Sequence, residues 1–171
     1  MKRFLAGILI ALGSGTAWSA VVESAVEYTD GETPMRGYLY YDDTVGGQRP
    51  GVLVVHEWWG LNDYARRRAR MLAEQGYVAL AVDMYGEGKQ AAHPRDAAAF
   101  ASAVMEDLPT GRTRLRAARL FLEAQPQTDP YRIAAIGYCF GGAVVLSVAR
   151  QGDDLKLVAS FHGSLKTESP A

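Results

Sequence analysis

Two hydrophobic periods alternate along the chain. Gly51-Val52-Leu53-Val54-Val55-His56 is a continuous apolar run, the pattern of a strand covered on both faces. From Asn62 to about Gln75 the spacing lengthens: Ala65, Ala69, Leu72 and Ala73 share one helical face, with Asn62 placed to cap and Gly76 to stop the helix. Tyr77 to Val82 is a second buried strand ending at Asp83. Pro94 opens a helix with Ala97, Ala101, Val104, Met105 and Leu108 on one side. Pro109 opens another with Leu115, Ala118, Phe121 and Leu122 inward, closed by Pro126. A strand from Arg132, a helix to about Arg150 and a strand from Lys156 to Phe161 follow. Ahead of all these, Val21 to Tyr28 and Gly37 to Tyr41 form an antiparallel pair about Asp30-Gly31, and a Gly- and Asp-rich loop runs from Asp42 to Pro50.

Strands alternating with helices predict an α/β fold, a mostly parallel sheet with helices on both faces. Ligands of such sheets bind at the carboxyl ends of the strands. Four loops converge there: His56 to Gly60, Asp83 to Lys89, the segment around Cys139, and His162-Gly163.

The segment around Cys139 carries the clearest chemistry. Gly137-Tyr138-Cys139-Phe140-Gly141 joins an apolar strand to a helix rich in small residues, a nucleophile elbow with cysteine in the serine position. Glycines on either side let strand and helix pack closely around the corner. The helix N-terminus favours thiolate over thiol, and the N–H of Phe140 is left to meet a developing oxyanion. Glu57, after a buried strand at the same sheet edge, is a charge that needs a partner there. Trp58 and Trp59 either line a substrate pocket or cover the core.

Composition narrows the class. The 171 residues are 49% hydrophobic and 22% charged, ordinary for one soluble domain. A net charge of −1 gives no electrostatic case for nucleic acid or an anionic membrane. Arg66, Arg67, Arg68 and Arg70 read as a solvated helix face. There is no metal-ligand cluster and no phosphate loop, so neither metal nor cofactor is expected. Cys139 is the sole cysteine, which excludes an internal disulfide and argues against a C-x-x-C redox protein.

The first residues read as a signal peptide. Met1-Lys2-Arg3 is a positive start, Phe4 to Leu12 an apolar run, and Ala17-Trp18-Ser19 places small residues for cleavage before Ala20. The expectation is a peptide over residues 1–19, an exported, periplasmic mature chain over 20–171, and no stable membrane association after cleavage.

Three motifs in order carry a family resemblance. His56-Glu57-Trp58-Trp59-Gly60-Leu61-Asn62, Asp83-Met84-Tyr85-Gly86 and Gly137-Tyr138-Cys139-Phe140-Gly141-Gly142 together resemble the dienelactone hydrolase family, with matching order and spacing across residues 22–165. The resemblance implies an α/β-hydrolase fold that cleaves a lactone or ester through a cysteine thiolate. It implies Cys139 as nucleophile, Glu57 as the carboxylate that contacts the resting thiol, and the N–H groups of Trp58 and Phe140 as the oxyanion hole. Where the family holds a substrate carboxylate with arginine, this chain has Tyr85-Gly86-Glu87-Gly88-Lys89, making Tyr85 and Lys89, with Trp59, candidate substrate contacts.

The order nucleophile, acid, histidine is not completed after Cys139. Asp153 and Asp154 fall at the amino edge of the sheet, and His162 is the sole later histidine. His162 is a stand-in base or substrate contact, or a loop histidine. His56 organises its own loop, and His93 precedes a helix. The expectation is a truncated family member, lacking its last strand–helix units of roughly 30 residues each, with doubtful activity. The alternative is a catalytically inactive binding or scaffold protein on the same fold.

Overall fold

The computed structural model describes residues 21–166, which form six strands and four helices. The signal-peptide segment and the last five residues lie outside them. Strands β1 (Val21–Asp30) and β2 (Thr33–Asp42) make the lead-in hairpin. They pair antiparallel at every position from Val21↔Asp42 to Asp30↔Thr33. Both run further than the sequence predicts, because the turn is Gly31-Glu32, with Gly31 at φ +58, where glycine carries no Cβ penalty.

Strand β3 (Arg49–Val55), helix α1 (Asp63–Ala73), strand β4 (Val78–Val82), helices α2 (Pro94–Glu106) and α3 (Leu108–Glu123), strand β5 (Thr128–Tyr138), helix α4 (Phe140–Arg150) and strand β6 (Leu157–Phe161) complete the fold. The sheet order is β1-β2-β4-β3-β5-β6. Strands β4, β3, β5 and β6 are parallel, and β2 joins β4 antiparallel.

The helices divide as their apolar faces require. Ala65, Ala69 and Ala73 of α1 pack on one face, against Tyr40, Val52, Val54, Ala79 and Ala81. Val104 of α2, Leu115, Ala118 and Leu122 of α3, and Val144, Val145 and Val148 of α4 cover the other, against Leu53, Val55, Leu80 and Val82. The alanine stripe lets α1 approach the sheet closely. Asn62 caps it, its side chain accepting from the N–H of Tyr64 at 3.1 Å. Phe121 is half-buried and meets the Tyr28 ring at 5.6 Å. The carboxyl ends of the central strands all open on one edge, where the loops after β3, β4, β5 and β6 meet. Among the described residues no helix is long and apolar enough to cross a membrane.

Candidate active site

The corner between β5 and α4 has the strained geometry of an elbow. Cys139 sits at φ 52, ψ −113, a left-handed backbone that costs a cysteine of order 1–3 kcal/mol. The surroundings enforce it. A Cβ on Gly137 would lie 2.1 Å from the Gly141 carbonyl oxygen, and one on Gly141 would lie 2.6 Å from the carbonyl oxygens of both Val55 and His56. The N–H of Cys139 donates to Phe161 O at 2.9 Å, and that of Gly141 to His56 O at 3.1 Å. The corner is thereby tied to β6 on one side and to the β3 loop on the other. Gly163 closes against the start of α4: a Cβ there would meet Gly142 C at 2.6 Å and Ala143 N at 2.7 Å.

Register brings Glu57 to the same place. Val55 pairs with Gly137 across β3 and β5, so Glu57 and Cys139 each stand two residues past the same pair. The Glu57 Oε1 lies 3.3 Å from His162 Nε2. His162 follows β6 at φ 47, a backbone that turns its ring back toward the β3 loop. The described residues show no hydrogen bond between the Glu57 carboxylate and the Cys139 thiol.

Behind these groups the loops after β3 and β4 are stitched together. His56 is fully buried. Its Nε2 accepts the N–H of Met84 at 3.2 Å, and its Nδ1 lies 2.5 Å from Glu57 O. A backbone N–H can only donate, so Nε2 is the bare nitrogen and Nδ1–H donates to the carbonyl. Burial pushes the imidazole pKa down to about 4, against a smaller raising effect of its bond to Glu57 O, so the ring is neutral. It lies flat on Phe140 at 5.7 Å and edge-on to Tyr85 at 4.8 Å.

Tyr85 is also buried, and its O–H donates to Trp58 O at 2.8 Å. Burial first, then the neighbouring Cys139, raises its pKa, so the phenol stays protonated. Asp83 is fully buried and accepts the N–H groups of Arg36 (3.1 Å), Tyr85 (2.9 Å), Gly86 (2.9 Å) and Gly88 (2.8 Å). Arg114 of α3 donates to Met84 O at 2.7 Å, and Ala91 N donates to Trp59 O at 3.0 Å.

The other residues singled out in the sequence are placed as follows. The N–H groups of Trp58 and Phe140 meet no protein acceptor among the described residues. Trp59 packs edge-on to Trp58 at 5.2 Å. The Lys89 ammonium is 3.0 Å from the Glu87 carboxylate, at the surface, and the Tyr85 hydroxyl faces the β3 loop. Sequence reading missed Asp83 as a hub and Gly163 as a packing position. Asp83 could have been flagged as an acid at the end of an all-apolar strand, where a buried carboxylate must find donors. No group of three or more His, Cys, Asp or Glu among the described residues is arranged to hold a metal.

A mostly parallel sheet with a cysteine on a strained strand-to-helix corner defines an α/β-hydrolase. The sequence model of the dienelactone hydrolase family matches residues 35–171, and the chain belongs to that family. It is 32% identical over 134 residues to Protein usf of Aquifex pyrophilus, covering 76% of this chain and 56% of that one. It is 33% identical over 115 residues to the carboxymethylenebutenolidase of a Pseudomonas species, covering 62% and 47%. Among solved structures, a dienelactone hydrolase-like promiscuous phosphotriesterase from metagenomic libraries superposes with a TM-score of 0.82 at 42% identity, covering 86% of this chain and 62% of that one. The chain spans about half the length of the curated relatives it matches.

Proposed function

We propose that this domain cleaves a small lactone or ester through Cys139. The observation that carries the reading is Cys139 itself, held at φ 52 on the N-terminus of α4 beside an unpaired Phe140 N–H. The thiolate attacks the carbonyl carbon and forms a C–S bond. The carbonyl π electrons move to oxygen, where the N–H groups of Trp58 and Phe140 stabilise them. Collapse expels the alkoxide with the C–O bonding pair, and a proton completes the alcohol. Water then cleaves the thioester, releasing the acid and the thiol. Glu57 faces the same edge and controls the charge near the resting thiol. Trp59 borders the substrate, and Lys89 is the nearest cation of its loop for an acidic one.

The test is incubation of the 171-residue chain with a p-nitrophenyl ester and intact mass spectrometry. One acyl group on Cys139, absent in Cys139→Ser, supports the reading. Release of nitrophenol that is equally fast in both proteins refutes it.

We also infer export, from the positive start, the apolar run and Ala17-x-Ser19. Mass spectrometry of the mature protein is expected to find its N-terminus at Ala20 or Val21. An intact Met1 on envelope material would refute it.

A further inference from the structure

The peptide that offers the Trp58 N–H is gripped on both sides by buried groups from elsewhere in the fold. The Glu57 carbonyl, which shares that peptide, receives His56 Nδ1–H at 2.5 Å. The Trp58 carbonyl, on the next peptide, receives the Tyr85 O–H at 2.8 Å. The Trp58 N–H lies between these two bonds and donates to nothing among the described residues.

We propose that His56 and Tyr85 are positioning residues that clamp the Glu57-Trp58-Trp59 backbone, so that the Trp58 N–H is aimed in advance at the oxyanion formed on Cys139. The proposal rests on the reading of Cys139 and Trp58 given above. Three further facts support it. The clamp is itself anchored: His56 Nε2 is occupied by Met84 N–H and Asp83 holds the N–H of Tyr85. It touches the second oxyanion donor, since both rings contact Phe140, at 5.7 Å and 5.4 Å. A turn built from Glu57-Trp58-Trp59-Gly60 has one internal backbone bond, Gly60 N to Glu57 O at 3.2 Å, and a tie from Ala91 N to Trp59 O at 3.0 Å; neither of them holds the Trp58 carbonyl, which the Tyr85 hydroxyl does. An oxyanion hole acts through donors that need no reorientation during reaction, so the bonds that prevent reorientation belong to catalysis although they touch no substrate.

The experiment compares two reactions of the same thiol. Acylation by a p-nitrophenyl ester builds an oxyanion, whereas alkylation by iodoacetamide does not. His56→Phe keeps the ring and loses both bonds, and Tyr85→Phe loses the hydroxyl alone. Each should slow acylation by roughly tenfold to a hundredfold and leave alkylation unchanged. His56→Asn, whose amide can donate near the Nδ1 position, should recover part of the loss. Acylation at the wild-type rate in both phenylalanine variants overturns the clamp, and so does an equal fall in acylation and alkylation, which would mark a structural role. Should His56→Phe fail to fold, Tyr85→Phe and the ¹⁵N spectrum of the wild-type imidazole decide: the proton must reside on Nδ1, and an Nε2–H tautomer overturns the proposal. Failure of the wild-type chain to acylate at Cys139 would instead remove the nucleophile reading, and the clamp with it.

Discussion

His162 Nε2 lies 3.3 Å from Glu57 Oε1. The carboxylate that follows β3 is thus held by an imidazole from the end of β6, on the far side of the elbow strand β5. Both residues are brought there by the sheet: Val55 pairs with Gly137, and Gly137 with Ser160, so the chain segments beyond β3, β5 and β6 leave side by side.

That relationship predicts the sign of two substitutions on the thiol. A carboxylate facing a thiol opposes its ionisation, while the N-terminus of α4 favours it. Glu57→Gln should therefore speed alkylation of Cys139 near neutral pH, by roughly threefold to tenfold. His162→Ala leaves the carboxylate without its imidazole partner and should slow the reaction. Iodoacetamide kinetics on the three proteins check both. A rate unmoved by Glu57→Gln would show that the carboxylate and the thiol do not face each other.

The elbow glycines should be intolerant of a single methyl group. A Cβ on Gly141 meets two backbone carbonyls at 2.6 Å, and backbone cannot step aside as a flexible side chain can. Gly141→Ala is expected to cost about 3 kcal/mol or more, or to prevent folding. Gly163→Ala, at 2.6 Å from Gly142 C, should behave alike. Cys139→Gly should do the reverse, since it releases a left-handed backbone worth of order 1–3 kcal/mol. Urea midpoints should order as Cys139→Gly above wild type above either alanine variant.

Stability should also fall in mild acid because of His56. Its folded pKa is about 4, below the unfolded value of about 6.5. Between these values the unfolded chain binds the proton and the folded chain does not, so stability rises with pH across that window. It is fully present above about pH 6.5 and is lost as pH falls toward about 4, by roughly 3 kcal/mol from this group. Urea unfolding of wild type and His56→Phe between those limits isolates the contribution: the variant should lack this limb. Parallel curves would show that the ring is not held neutral.

Much of this site is local in sequence and therefore legible there. Val52 to Val55 and Val78 to Val82 are buried as their unbroken apolar runs require, and Asn62 caps α1. Gly137 closes on Gly141 four residues later, so the glycine spacing around Cys139 is legible even though Gly141 itself packs on the distant Val55 and His56 carbonyls. What escaped sequence reading depends on distant partners. The hairpin strands end in polar residues such as Glu27 and Arg36, paired across β1 and β2, and an edge of that kind leaves no apolar signature. Strand β5 starts at Thr128, earlier than expected, because it pairs with Arg49 and Pro50 before a register shift at Pro50/Gly51; proline there argues against strand. His56 is recognisable as an organiser of its loop, yet its second partner, Met84, is 28 residues away. The donors to Asp83 include Arg36, 47 residues earlier, and no periodicity announces such a pairing.

Acylation and deacylation should separate in this chain. In the proposed mechanism the elbow and the two unpaired N–H groups serve the first step, which needs only a thiolate and an oxyanion hole. The second needs a base to activate water. Among the described histidines, His56 is buried with both nitrogens engaged, His93 stands at the N-terminus of α2, and His162 has Nε2 on Glu57. An aryl ester should then give a burst of at most about one equivalent of phenol, followed by much slower turnover, as expected when the acyl-enzyme accumulates. Stopped-flow absorbance on wild type, Cys139→Ser and His162→Ala checks this. The burst should vanish in Cys139→Ser and persist in His162→Ala. Sustained turnover that disappears in His162→Ala would instead assign the base to His162, with Glu57 as the acid that orients it.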